Sequence, residues 1–167
     1  MKIYVKYANK TLPHLRITKK GDWIDLSAAE TITLISPKTI EGAESTNVYN
    51  RFVSLGIAMK LPEGFEAIIA PRSSLFKQKG VILTNSIGII DNSYCGDSDI
   101  WGANFLCFRD GEIVAGERIL QFRIQLSQKA SLIAKLKWLF TSKIEFVEVN
   151  NLGCESRGGF GSTKGYK

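Results

Sequence analysis

A single histidine, His14, stands among the 167 residues, and the three cysteines, Cys95, Cys107 and Cys154, form no C-x-x-C pair. A zinc site or a Cys/His couple would have to collect ligands from unrelated places, which argues against both. The odd cysteine count argues against a disulfide framework and makes a reducing compartment the expectation. No stretch is long and apolar enough to span a membrane. The opening run MKIYVKYA alternates charged and apolar residues as a strand does, so it does not read as a secretory signal. Internal repeats are lacking, and so is any long run of one charge. The 22 Lys and Arg against 16 Asp and Glu leave a formal charge of +6 that is scattered along the chain. Such a balance suits an anionic substrate or a nucleic acid and decides for neither. A soluble cytoplasmic protein is the expectation.

What the chain does have is strands. With 44% hydrophobic residues it can bury the core of one domain. KIYVKY, TITLI, FVSLGIAMKL, FEAIIA, GVILTN, SIGII, WGANFLCFR, RILQFRIQL and KIEFVEV are short, β-rich and punctuated by Gly, Pro, Asn or Asp. Many short strands at close spacing predict an all-β sandwich, barrel or jelly roll. Two segments interrupt them. Residues 38–50 are polar and predict a loop. Residues 129–140, KASLIAKLKWLF, carry helical spacing with Leu132, Ile133, Leu136, Leu139 and Phe140 on one face. A basic amphipathic helix of this kind packs on its own domain more often than on a membrane or partner. The end is different again: Gly153, Gly158, Gly159, Gly161 and Gly165 fall within the last fifteen residues. A β domain over 1–150 and a flexible arm over 151–167 follow as the expected organisation. Phe160 is discordant there, since an aromatic in a mobile arm wants something to cover.

Four further stretches carry chemistry. In SIGIIDNSYCGD, residues 86–97, an apolar strand ends on the carboxylate of Asp91, with Tyr94 three residues on. That is either a plain hairpin or a pocket that reads a flat ring and sets Asp91 beside a reacting atom. In APRSSLFKQKG, residues 70–80, Arg72, Ser73 and Ser74 follow Pro71. A guanidinium, two hydroxyls and turn amides suit an anion, and Ser as a helix N-cap is the plainer alternative. GERILQ, residues 116–121, is a turn entering a strand, with Gln121 either a phosphate donor or an edge-strand residue. RGGFGSTKG, residues 157–165, fails the P-loop pattern: the second glycine would fall on Thr163, and no Ser or Thr follows Lys164. It reads better as an anion-binding arm in which Phe160 supplies a stacking face.

Together these segments resemble the trimeric dUTPase family, in that family's order. WIDLSA (23–28) resembles its first motif, PRSS (71–74) the second and NSIGIIDNSYCGD (85–97) the third. GERILQ (116–121) resembles the fourth and RGGFGST (157–163) the fifth. The resemblance implies an all-β, distorted jelly-roll or barrel fold of the dUTPase type, with a helical insertion and a Gly-rich arm. It implies hydrolysis of dUTP to dUMP and pyrophosphate, which keeps uracil out of DNA and supplies dUMP for thymidylate synthesis. It implies Mg²⁺ held mainly by the triphosphate and water, with no nucleic-acid or membrane partner. Three shared sites, each built from three subunits of a homotrimer, come with it.

Residue by residue, the resemblance gives the uracil edge to Asn85 and to the backbone around Gly88 and Ile90, in a β-hairpin. Tyr94 lies beneath the sugar, and Asp91 is the general base that also accepts from the 3′-hydroxyl. Arg72, Ser73, Ser74 and Gln121 hold phosphate oxygens, with Asp25 supporting that region and the metal water. Arg157, Phe160, Gly161, Ser162 and Thr163 belong to the closing arm, Phe160 over the base. The chain departs from the family where Trp23 replaces a glycine, where two residues are missing between Arg157 and Phe160, and where Lys164 stands in place of the glycine that ends the fifth motif; the segments 38–50 and 129–140 are insertions beyond the compact family pattern.

Two other functions compete. A dCTP deaminase of the same fold needs a glutamate five residues beyond Gly96, where this chain has Trp101. A nucleotide-responsive regulatory protein is the second, motivated by the insertions.

Overall fold

Alternation of β-branched and aromatic residues with polar ones builds twelve strands and two helices among the described residues, which are 1–17, 21–37, 50–140 and 143–159 of a computed structural model. Phe160, Gly161, Ser162 and Thr163 lie outside them, as does the expected loop except for Asn50. The strands are β1 (Lys2–Tyr7), β2 (Ile24–Ser27), β3 (Ile32–Leu34), β4 (Asn50–Ser54), β5 (Ile57–Lys60), β6 (Phe65–Pro71), β7 (Val81–Leu83), β8 (Gly88–Asp91), β9 (Gly102–Cys107), β10 (Gly111–Ile113), β11 (Arg118–Leu126) and β12 (Glu145–Glu148). Helix α1 is Leu75–Lys79 and α2 is Leu132–Phe140. The expected run FVSLGIAMKL is two strands, because the chain turns at Gly56 with φ +64°.

Four sheets form, ordered β12-β1-β5, β10-β3, β2-β11-β6-β8 and β4-β9-β7, and none closes into a barrel. Every pairing is antiparallel except that of β1 with β12. Inward side chains of the sheets meet in one core, where Trp101 and Phe122 pack edge to face at 5.3 Å. A register shift between Arg118 and Leu120 lets the neighbours Ile119 and Leu120 both point inward, while Arg118 stays outside.

The amphipathic segment is a helix, but it packs through the opposite face from the one expected. Ala134 is buried against the domain and Trp138 meets the Phe65 ring edge-on at 5.5 Å. Leu132, Ile133, Leu136, Leu139 and Phe140 share one face as their spacing requires, and all five are exposed. Small Ala130 and Ala134 let the backbone come close to Gly64, a contact that bulky side chains would prevent. Close approach by small residues wins over the larger apolar area of the other stripe.

Candidate active site

Strand β8 delivers the third motif. It pairs with β6, Gly88 opposite Ile69 and Asp91 opposite Glu66. It does not pair with β7, so the segment is a crossing between two sheets rather than the expected two-stranded hairpin. The crossing is tight: Ser86 takes φ +60°, and the Ile87 amide donates to the Asn85 carbonyl at 2.6 Å. A left-handed conformation at a non-glycine residue stores strain, and such strain collects at functional sites. Asn85 is exposed beside it, and Gly88 and Ile90 are half-buried.

Asp91 ends β8, and the turn behind it folds back on its carboxylate. Ser93 donates from its amide at 2.8 Å and from its hydroxyl. The Arg157 guanidinium pairs with the other oxygen and also donates to Ser93 Oγ at 2.9 Å. Burial pushes the Asp91 carboxyl up, but the bonds from Ser93 and Arg157 outweigh it and hold it below the usual carboxylate range. It is therefore a ready anion at neutral pH. Tyr94 is half-buried with its hydroxyl donating to the Ile100 carbonyl at 3.1 Å, and burial raises its pKa.

A second cluster gathers the first, second and fourth motifs. β11 lies between β2 and β6 and sets Gln121 opposite both Asp25 and Ala70. Gln121 is thus in a central strand, not an edge, and its side-chain amide donates to the Pro71 carbonyl at 3.2 Å. Asp25 holds two guanidinium groups, Arg72 Nε and Arg118 Nη1, each at 2.9 Å. Ser74 caps α1 in position without a side-chain cap bond, leaving its hydroxyl only a long 3.4 Å partner in Gln78. Ser73 is exposed next to it. Two positive forks, two serine hydroxyls and a carboxylate that orients the forks make a cradle for a polyanion.

The two clusters sit at opposite ends of β6. Five residue steps lead from Glu66, beside Asp91, to Pro71, beside Leu120, which is roughly 17 Å along a strand.

The dUTPase family model matches residues 25–163, which includes both clusters. The chain belongs to the dUTPase family. It is 40% identical over 163 residues, 98% of each chain, to the SPbeta prophage-derived deoxyuridine 5′-triphosphate nucleotidohydrolase YosS of Bacillus subtilis. A deoxyuridine 5′-triphosphate nucleotidohydrolase of Hydrogenobaculum is 42% identical over 113 residues, 66% of this chain and 68% of that one. Among solved structures, the dUTPase of Streptococcus mutans superposes with a TM-score of 0.59 at 23% identity, covering 75% of this chain and 93% of that one. That likeness gives the fold, the all-β jelly-roll-like dUTPase architecture.

In this dUTPase, Trp101, five residues beyond Gly96, is completely buried in the core. Trp23, in place of the first-motif glycine, lies under the Arg123 guanidinium at 5.5 Å. Among the described residues no three His, Cys, Asp or Glu gather into a metal cage. Both Asp25 oxygens are occupied by arginines. Among the described residues no helix is long and apolar enough to cross a membrane.

Sequence reasoning missed Asp99. It is 1% exposed and accepts from the amides of Gly96 (2.8 Å), Arg157 (2.9 Å) and Gly158 (3.2 Å). The one visible signal was a second acid two residues after Asp97, which a motif ending at 97 leaves out. Gly96 was included, but its reason was not legible: a Cβ there would meet Ser156 Cα and Oγ at 2.3 Å. Gly96→Ala should therefore push residues 154–159 off the body, costing about 1–3 kcal/mol. Faster proteolytic clipping between 150 and 160 with the core intact is the measurement.

Proposed function

We propose that this dUTPase converts dUTP to dUMP and pyrophosphate, with Asp91 as the base. The Asp91 carboxylate accepts a proton from water as its oxygen attacks the α-phosphorus. The bond from that phosphorus to the bridging oxygen breaks, and pyrophosphate leaves. The observation that carries this reading is an ionised carboxylate ending the strand that also offers the bare backbone of Gly88. A backbone edge can pair with uracil, whereas cytosine, with an amine in place of a carbonyl, would leave buried polar groups unpaired. Tyr94 fits beneath the sugar, where it leaves no space for a 2′-hydroxyl.

The phosphates go to the cradle of Arg72, Ser73, Ser74 and Gln121, with Asp25 keeping the forks aimed. Mg²⁺ brought in on the triphosphate would supply charge neutralisation there. The cradle and Asp91 of one chain lie at opposite ends of β6, and the site is shared between subunits of a homotrimer, a closed heterologous ring. In this reading residues 1–150 form the catalytic body and 151–167 an arm of which Arg157, Phe160, Gly161, Ser162 and Thr163 serve the nucleotide. Such an enzyme keeps uracil out of DNA and feeds thymidylate synthesis from a cytoplasmic location.

Incubation with Mg²⁺ and each of dUTP, dCTP, dTTP and UTP, followed by product identification, tests the assignment. Only dUTP should yield its monophosphate and pyrophosphate at a substantial rate; deaminated product or equal use of UTP would overturn it. Since Asp91 is held below the ordinary carboxylate value of about 4, turnover should stay level from neutral pH down to about 5. A rate that halves between pH 7 and 6 would mean that another group supplies the base.

A further inference from the structure

The four most exposed large apolar side chains among the described residues all belong to helix α2. They are Phe140 at 79%, Ile133 at 77%, Leu139 at 73% and Leu132 at 71%, against 61% for the next, Ile89. At about 100° per residue, Leu139, Leu132, Leu136, Phe140 and Ile133 follow one another around a stripe about 120° wide. Ala134 and Trp138, which face the domain, lie on the opposite side. Exposed Lys135 borders one edge of the stripe and exposed Lys137 the other, each about 40° beyond the last apolar residue. The helix is fixed by its back. Ser131 Oγ accepts the Ala134 amide at 3.2 Å at its start, and Trp138 rests on Phe65. The apolar stripe therefore points directly away from the core. Charge singles out the same segment: from Arg118 through Ile144 the chain has six Lys and Arg and no Asp or Glu.

We infer that α2 docks the protein on an anionic lipid surface. The helix lies flat there, its five apolar side chains entering the boundary between headgroups and acyl chains. Lys135 and Lys137 reach the headgroup phosphates on either side. The expectation that this stripe packs on its own domain is reversed, because the domain takes the small-residue face instead. Two features favour lipid over protein as the occupant. Two copies of α2 set face to face would bring the lysines of each against those of the other, so the stripe is ill suited to a second copy of this chain. The stripe also carries no Arg, Tyr, Trp or amide, the side chains that anchor and orient a protein partner. A fluid surface asks for none of these. It asks for apolar area bordered by positive charge.

Cosedimentation of the full-length protein with vesicles tests the inference. One set holds phosphatidylglycerol and phosphatidylcholine in equal parts, and the control set phosphatidylcholine alone. The wild type should partition onto the anionic vesicles about tenfold or more above the neutral ones, and added salt should weaken the binding. Ile133→Ser/Phe140→Ser should lower that partition by about tenfold or more. Lys135→Gln/Lys137→Gln should remove most of the preference for anionic lipid. All four side chains are exposed and lie outside the two site clusters, so thermal melting and pyrophosphate release in solution should stay at wild-type levels. Wild type left in the supernatant overturns the inference. Equal partition of the wild type and Ile133→Ser/Phe140→Ser does so too, since net charge alone would then hold the protein. If the protein stays off vesicles and light scattering shows its assembled mass falling in Ile133→Ser/Phe140→Ser, the stripe joins copies of this chain and the lipid surface is ruled out. Retention on an immobilised Glu- and Leu-rich helical peptide, without vesicle binding, would give the face to an acidic protein and overturn the inference as well.

Discussion

Asp91→Asn should bind dUTP within about threefold of wild type and lose turnover by on the order of 10²–10⁴, the usual worth of a positioned general base. The amide keeps the shape and can still accept from Ser93, but it cannot take a proton from water. Arg157 loses its ionic partner in this variant and becomes free for phosphate, so affinity has no reason to fall. Titration with a non-hydrolysable dUTP analogue measures binding, and pyrophosphate release measures turnover. Near-normal release would remove Asp91 as the base, whereas lost binding with lost turnover would make it a substrate anchor only. Arg157→Ala is the informative companion. Asp91 then loses one of the groups that depress its pKa, so the acid fall-off of the rate should move upward in pH.

The strands and most motif positions were legible in the sequence because both depend on local patterns. Alternation in KIYVKY and RILQFRIQL reports which side chains face the core, and a residue such as Asp91 declares itself by ending such a run. Three features were not legible, each because it depends on what arrives from far along the chain. The face of α2 that packs is chosen by Gly64, nearly seventy residues before it, which accepts Ala130 and Ala134 closely; the apolar stripe alone pointed the other way. The role of Gly96 depends on Ser156. The link from Asp25 to Arg72 and Arg118 depends on β2 and β6 flanking β11, a strand order that no local propensity encodes. The separation of the two clusters along β6 has the same origin.

Asp99→Asn tests how far that long-range fastening matters. Both Asp99 oxygens accept amide protons, so an asparagine in either orientation turns its own NH₂ against at least one N–H. A buried donor left without an acceptor costs about 1–3 kcal/mol. The loss falls on the junction between Gly96 and Arg157 rather than on the core, so the body should keep its fold while residues 154–159 lose amide-exchange protection. Turnover should drop tenfold or more, with preference for dUTP over dCTP retained because Asn85 and Gly88 are untouched. Acid should reproduce the effect in the wild type. Burial raises the Asp99 carboxyl, but the four amides of Arg157, Gly96, Gly158 and Cys95 outweigh it and hold the value below normal. A depressed native value means that the stabilisation is complete above the unfolded value, about 4, and disappears as pH falls through the lower native one. Protection of 154–159 should therefore persist at pH 5 and vanish in stronger acid, while Asp99→Asn shows none at either pH. Equal protection in the two proteins at neutral pH would mean that the arm root is held by Asp97 and Ser98 without Asp99.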